Sequence, residues 1–219
     1  SCRDAPSDDD FSPEQMAQLI AESRAAGVAW RSIALEGGEP LLHPAFAELV
    51  NMLHDYVTRD GLRTSIVVVT SGQLPETAAI VGRLPATVRV KNSNKRSAEQ
   101  PSHLDFAVAA ADLAPGREPD YAEGCPLPTD WGLGLNRHGF YPHPVCGGID
   151  RVFGLDVGRR RLPDAGDAMR DQMRALCRLC GFFAARIGLA RAVARDEVTP
   201  SWRAAYDRYR IAAPMLTPY

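Results

Sequence analysis

The chain has 219 residues, a formal net charge of -2, and is 45% hydrophobic and 24% charged, the balance of a globular protein with ample material for a core. No apolar run reaches the ~18 residues of a membrane span, and the even charge balance argues against a general nucleic-acid binder. The polar start SCRDAPSDDD does not read as a secretory leader, so a cytoplasmic location is expected.

The first helix is signalled by Ser12-Pro13-Glu14-Gln15: a capping hydroxyl, a proline suited to the first helical position, and a glutamine at the third. Met16, Leu19 and Ile20 begin its apolar stripe, Ser23 cuts the stripe short, and Gly27 ends the helix. Residues 30–35 read as a strand running into Glu36-Gly37-Gly38-Glu39-Pro40. Residues 44–58 read as a second helix, with Phe46, Leu49, Val50 and Leu53 on one face. The β-branched run 64–69 predicts a strand buried on both faces, with Thr70-Ser71-Gly72 at its carboxyl end. A short helix over 76–83, a strand over 88–90 and the polar loop Lys91-Asn92-Ser93-Asn94-Lys95 follow, then a further strand over 106–111. This alternation predicts an α/β protein built of right-handed parallel β/α units. Functional residues in such folds collect on the loops after the strands' carboxyl ends.

After residue 113 prolines and glycines are dense and the rhythm stops. Phe140 and Tyr141 suit a small hairpin around Gly139, residues 164–180 read as largely helical, and residues 200–209 as a terminal helix capped by Thr199. Three segments result: 1–113; a module at 114–190 too poor in regular structure to stand on hydrophobic burial alone; and a helical tail at 191–219.

The stretch Ser32-Ile33-Ala34-Leu35-Glu36-Gly37-Gly38-Glu39-Pro40-Leu41-Leu42-His43-Pro44 resembles the second strand and loop of the radical SAM superfamily, and Thr70-Ser71-Gly72 stands where that family commonly has Thr-Asn-Gly. The resemblance covers roughly residues 1–113 and implies a partial parallel (β/α) barrel. It also implies a 4Fe–4S cluster held by three cysteines, with Cys2 at the position of the third. S-adenosylmethionine would bind that cluster and, with an electron from an external donor, yield a radical that abstracts hydrogen from a peptide or small natural-product substrate. Gly37, Gly38, Glu39 and Pro40 would then hold the methionine end, Thr70 and Ser71 would lie near the nucleoside, and Asn92 and Ser93 would make further contacts. The physical reading agrees: glycines allow close backbone approach to a ligand, Glu39 supplies an acceptor for a cation, and Pro40 stiffens the loop.

Five cysteines without a leader predict metal ligation or catalysis rather than disulfides. Cys125, Cys146, Cys177 and Cys180 are the number needed for an auxiliary 4Fe–4S cluster or a tetrahedral zinc site. Their segment resembles the SPASM or twitch extensions of radical SAM enzymes, which favours iron–sulfur; zinc fits the same ligands. His143 lies nearer than Cys146 to the position that pattern expects and is a possible substitute ligand. His43 is expected to shape the loop after Gly-Gly-Glu-Pro, Trp131 to pack within the module, and Arg159-Arg160-Arg161 to form a solvated basic turn. A catalytically silent relative, using iron–sulfur or zinc for structure while binding a partner, is the competing expectation.

Overall fold

The computed structural model describes residues 5–72, 75–93, 107–113, 115–116, 119–189 and 198–219. The chain divides into two compact units, Asp9–Ser102 and a second formed by Ser1–Asp8 with His103–Tyr219. The division thus falls before residue 113, and the carboxyl-terminal helix belongs to the cysteine-bearing unit instead of forming a separate tail. No helix among the described residues is long and apolar enough to cross a membrane.

The first unit is mixed α/β. Helix α1 (Pro13–Ala25) opens on the expected reciprocal cap: Ser12 Oγ accepts from the Gln15 amide at 3.3 Å, and Gln15 Oε1 accepts from the Ser12 amide at 3.1 Å. Ser23, the polar break in the stripe, is buried with its hydroxyl satisfied: it donates to the Leu19 carbonyl and accepts from Trp30 Nε1. Strand β1 (Ser32–Leu35), helix α2 (Phe46–Arg59), strand β2 (Ser65–Thr70), helix α3 (Pro75–Val81) and strand β3 (Val88–Asn92) follow. The amphipathic face of α2 buries Phe46, Leu49, Val50, Leu53 and Tyr56, and α1 packs against α2. The strands form a parallel sheet in the order β1-β2-β3, pairing Leu35 with Val68 and Thr70 with Asn92.

The expectation that 64–69 is buried on both faces is corrected. Ile66, Val68 and Thr70 are buried, whereas Ser65, Val67 and Val69 are half-buried. The sheet has three strands, and helix cover on one face suffices to bury one alternate set. On β3 only Val88 is buried.

The second unit contains helices α4 (Ala110–Leu113) and α5 (Leu127–Asp130), a hairpin of β4 (Gly134–Asn136) and β5 (Gly139–Tyr141), and helices α6 (Pro144–Phe153), α7 (Arg170–Cys177), α8 (Gly181–Arg186) and α9 (Pro200–Ile211). Its hydrophobic core combines residues of the 114–190 segment with residues outside it: Ile149, Leu176 and Phe183 are buried together with Ala109 and Trp202. Trp202 donates from Nε1 to the Leu179 carbonyl at 2.7 Å and meets Phe153 edge-on. The hairpin forms as expected, and Gly139 (φ 122°) is there by necessity. A side chain would run into the Arg159 carbonyl, which accepts from the neighbouring Phe140 amide at 2.9 Å. Tyr141 donates to buried Asp150 at 2.7 Å, Asp150 also accepts from the Val157 amide, and Gln172 donates to the Phe140 carbonyl, so a polar network ties the hairpin to α6 and α7.

Three further expectations change. Residues 107–109 are not a strand and α4 follows them; Phe106 lies outside the described residues. Their backbone is bonded to helices instead of a sheet: the Ala109 amide donates to Thr199 Oγ1 and the Ala111 amide to the Arg178 carbonyl. Thr199, so engaged, does not cap α9 with its side chain; the Asp112 carboxylate accepts from the Ser201 amide and hydroxyl in its place. In 164–180 only Arg170–Cys177 is an α-helix, entered through Met169 in the left-handed region.

Candidate functional site

All eight residues expected to hold the nucleotide stand at the carboxyl edge of the three-stranded sheet. Glu39 leads into a 3₁₀ turn at Pro40–Leu42, and its carboxylate reaches across to the end of β2. Its Oε2 accepts from the Ser71 amide at 2.9 Å and the Ser71 hydroxyl at 2.6 Å, and its Oε1 accepts from the Leu41 amide at 3.4 Å. Burial raises the Glu39 pKa, but hydrogen bonds from Ser71, Thr70 and Leu41 outweigh it and hold the carboxyl below its ordinary range. Thr70 Oγ1 also accepts from the Gly72 amide at 3.1 Å. Gly72 has φ 62°, and a β-carbon there would strike the Asn92 amide group. Ser93 closes the row, donating from both its amide and its hydroxyl to the Thr70 carbonyl. Three strand-end loops are thereby joined by side-chain and backbone hydrogen bonds.

Gly37 and Gly38 are exposed beside this junction. Apart from their chain neighbours, no described atom lies within 4 Å of where a β-carbon would stand on either. No contact among the described residues therefore demands glycine at these two positions. His43 shapes the loop, as expected: its Nδ1 accepts from the Ala45 amide at 3.1 Å, with Asp10 3.7 Å from the other ring nitrogen.

Cys2 lies outside the described residues. The other four cysteines are free thiols; Cys146, Cys177 and Cys180 are buried and Cys125 is half-buried. Their neighbours come from separate segments: Cys125 precedes α5, His143 and Cys146 open α6, Cys177 ends α7, and Cys180 precedes α8. His143 Nε2 is 3.3 Å from Cys146 Sγ. Hydrogen bonding to Cys177, then burial, pushes the Cys125 thiol up to about 12, against an opposing hydrogen bond from His143. Cys177 is bonded to Cys125, which lowers its pKa, and to Cys146, which raises it; with burial and neighbouring thiols the net shift is upward. Burial pushes Cys180 up to about 12, opposed by the amides of Phe183 and Phe182. Among the described residues, no three His, Cys, Asp or Glu groups are arranged as they stand to hold a metal ion.

The remaining candidates are internal contacts. Arg159 forms a two-pronged pair with Asp171, and Arg160 pairs with Asp156 and the His138 carbonyl. Trp131 packs edge-on to Phe182 and His143 while half its surface stays exposed. The buried Asp150–Tyr141 pair escaped sequence reasoning, since partners nine residues apart on a hairpin and a helix leave no periodic signal. No protein-family model, curated protein or solved structure matches this chain.

Proposed function

We propose that this chain is a radical SAM-type protein that holds S-adenosylmethionine at the carboxyl edge of its parallel sheet, and that the sheet is part of a partial (β/α) barrel. The observation that carries the reading is the junction of Glu39 with Ser71 beside two glycines that no contact among the described residues requires. The exposed backbone at Gly37 and Gly38 is free of side chains, so carbonyls there can approach the methionine ammonium closely. Glu39 positions that backbone and adds negative charge behind it. Thr70, Ser71, Asn92 and Ser93 present the adjoining polar rim.

The radical-generating 4Fe–4S cluster of this class takes three thiolates and leaves one iron open for the nucleotide. Cys2 would be one of those three thiolates. What the chain's own residues supply is the binding and orientation of the sulfonium nucleotide, with a peptide or small natural product as the class of substrate.

The test is equilibrium binding of S-adenosylmethionine to the full chain, followed by anaerobic iron–sulfide reconstitution and measurement of reductant-dependent 5′-deoxyadenosine. Binding is expected, with Gly38→Val weakening it at least about tenfold, equivalent to ~1.4 kcal/mol. No binding, or binding indifferent to Gly38→Val, overturns the proposal. Binding without cleavage favours the second reading, a catalytically silent relative that uses iron–sulfur or zinc for structure.

A further inference from the structure

We infer that residues 214–219 are an exchangeable arm, and that the groove holding them also takes the same segment of a second copy of this chain in a two-fold dimer. Arm and groove both belong to the second unit and share no residue with the strand-end loops.

The chain leaves α9 in extended conformation at Ala212 (φ -153°, ψ 120°), and residues 212–219 have no regular secondary structure. Three anchors hold them. Pro214 lies over Gly154, where a β-carbon would stand 2.8 Å from the proline ring. Thr217 donates to both oxygens of Asp156, from its amide at 2.9 Å and from its hydroxyl at 2.7 Å. The Tyr219 amide donates to the Arg137 carbonyl at 2.8 Å, and its ring meets Phe140 edge-on with centroids 5.1 Å apart. The groove is shaped to receive them. Gly154 ends α6 in the left-handed region, Asp156 stands there too (φ 54°), and Arg160 grips the Asp156 carboxylate. Backbone amides, one hydroxyl and one ring are thus read in a fixed order, as in the recognition of an extended peptide. Residues 214–219 are the sequence that fits this groove, so the occupant from another molecule is the same segment of a second copy.

Two features make the arm exchangeable. First, none of residues 212–219 belongs to the main core of the second unit, so that core stays closed when the arm leaves. Second, the connector is bracketed by uncovered apolar side chains. Ile211 is 87% exposed and Met215 98% exposed, and Ala212 and Ala213 between them are exposed as well. When the arm docks on its own chain, both side chains stay in water. Opening the connector carries the arm to a second copy, where every anchor contact is remade. Two connectors then meet at the two-fold axis, and Ile211 and Met215 are withdrawn from water. Docking within one chain keeps the advantage of a short connector, an effective concentration on the order of 1 mM. Wild type is therefore expected to be monomeric when dilute and to exchange as its concentration approaches that value.

The experiment deletes Ala212 and Ala213 from the full chain, which shortens the connector by about 7 Å and takes the arm out of reach of its own groove. Sedimentation should then show a dimer at dilutions where wild type is monomeric, with the Thr217 and Tyr219 amides still protected from hydrogen exchange. Adding Asp156→Ala should raise the dimer dissociation constant at least about tenfold, because the arm loses the acceptor of two hydrogen bonds. Ile211→Ser with Met215→Ser should weaken the dimer while leaving Thr217 and Tyr219 protection in the wild-type monomer unchanged. A monomeric deletion variant overturns the inference. So does a dimer indifferent to Asp156→Ala, or one whose Thr217 and Tyr219 amides exchange freely. Should the deletion variant not fold, wild type concentrated to about 1 mM decides the matter. A dimer fraction that grows with concentration and disappears in Asp156→Ala is expected there, and a strictly monomeric wild type overturns the inference.

Discussion

Glu39 shows how one side chain changes role once its partners are counted. An ionised carboxylate offers about four acceptor positions. The Ser71 amide, the Ser71 hydroxyl and the Leu41 amide take up three of them. The carboxylate therefore ties two strand-end loops together, and under the proposed function direct contact with the ligand's ammonium would fall to the neighbouring backbone. Glu39→Ala leaves these donors unmatched and should cost about 1 kcal/mol, the low end for a part-exposed site. It should also weaken S-adenosylmethionine binding. Urea melts and equilibrium binding check both, and a variant unchanged in each would show that the junction holds nothing. Because the folded-state pKa of Glu39 is lowered, its contribution is complete above its ordinary pKa and is lost as pH falls through the lowered value. The Ser71 amide chemical shift should report that acid transition, and Glu39→Gln should abolish it.

At the scale of elements, α9 is held by residues distant in sequence. Thr199 has the right identity and position for a cap, yet its hydroxyl serves Ala109, and Asp112 closes the helix from 89 residues away. Asp112→Ala should destabilise the second unit by about 0.5–2 kcal/mol, the range for loss of an N-cap, whereas a Thr199 cap would predict no such sensitivity. Differential melting of the two variants, Asp112→Ala and Thr199→Ala, measures this directly. The same lesson explains residues 107–109: a run of small apolar residues carries no period that separates strand from packed connector. Helices with strong local signals behave differently. The Ser12–Gln15 box and the apolar face of α2 needed no tertiary information, because cap and stripe both lie within one or two turns.

At the scale of the whole molecule, each unit buries its own core, and the second also buries ionisable groups whose titration sets its stability. Burial raises Asp150 and Tyr141 above their ordinary pKa values. For Asp150 the folded state keeps a proton that the unfolded chain loses, so stability is greatest at low pH and falls as pH rises from about 3.8 to the raised value. For Tyr141 the same sign applies above pH 10. Denaturant midpoints of the second unit carry both contributions, and Asp150→Asn should remove the acid one. Asp120, Asp156 and Asp171 of the same unit are held below their ordinary range and contribute the opposite slope, so the test is the difference between wild type and Asp150→Asn: a difference that does not change with pH across the acid window would contradict the buried-carboxyl account.

Local patterns by themselves determined the parallel β/α unit, its capped and amphipathic helices, the hairpin at Gly139, and which loops stand at the strand ends. Each of these depends on contacts within a few residues or on hydrophobic period. Tertiary structure alone decided that Glu39 bonds to Ser71, that Asp112 caps α9, that Asp150 meets Tyr141, and that His143 stands beside Cys146. Composition can count donors, but which of them meet depends on how separate segments pack. The direction of a single buried side chain has no signature along the chain.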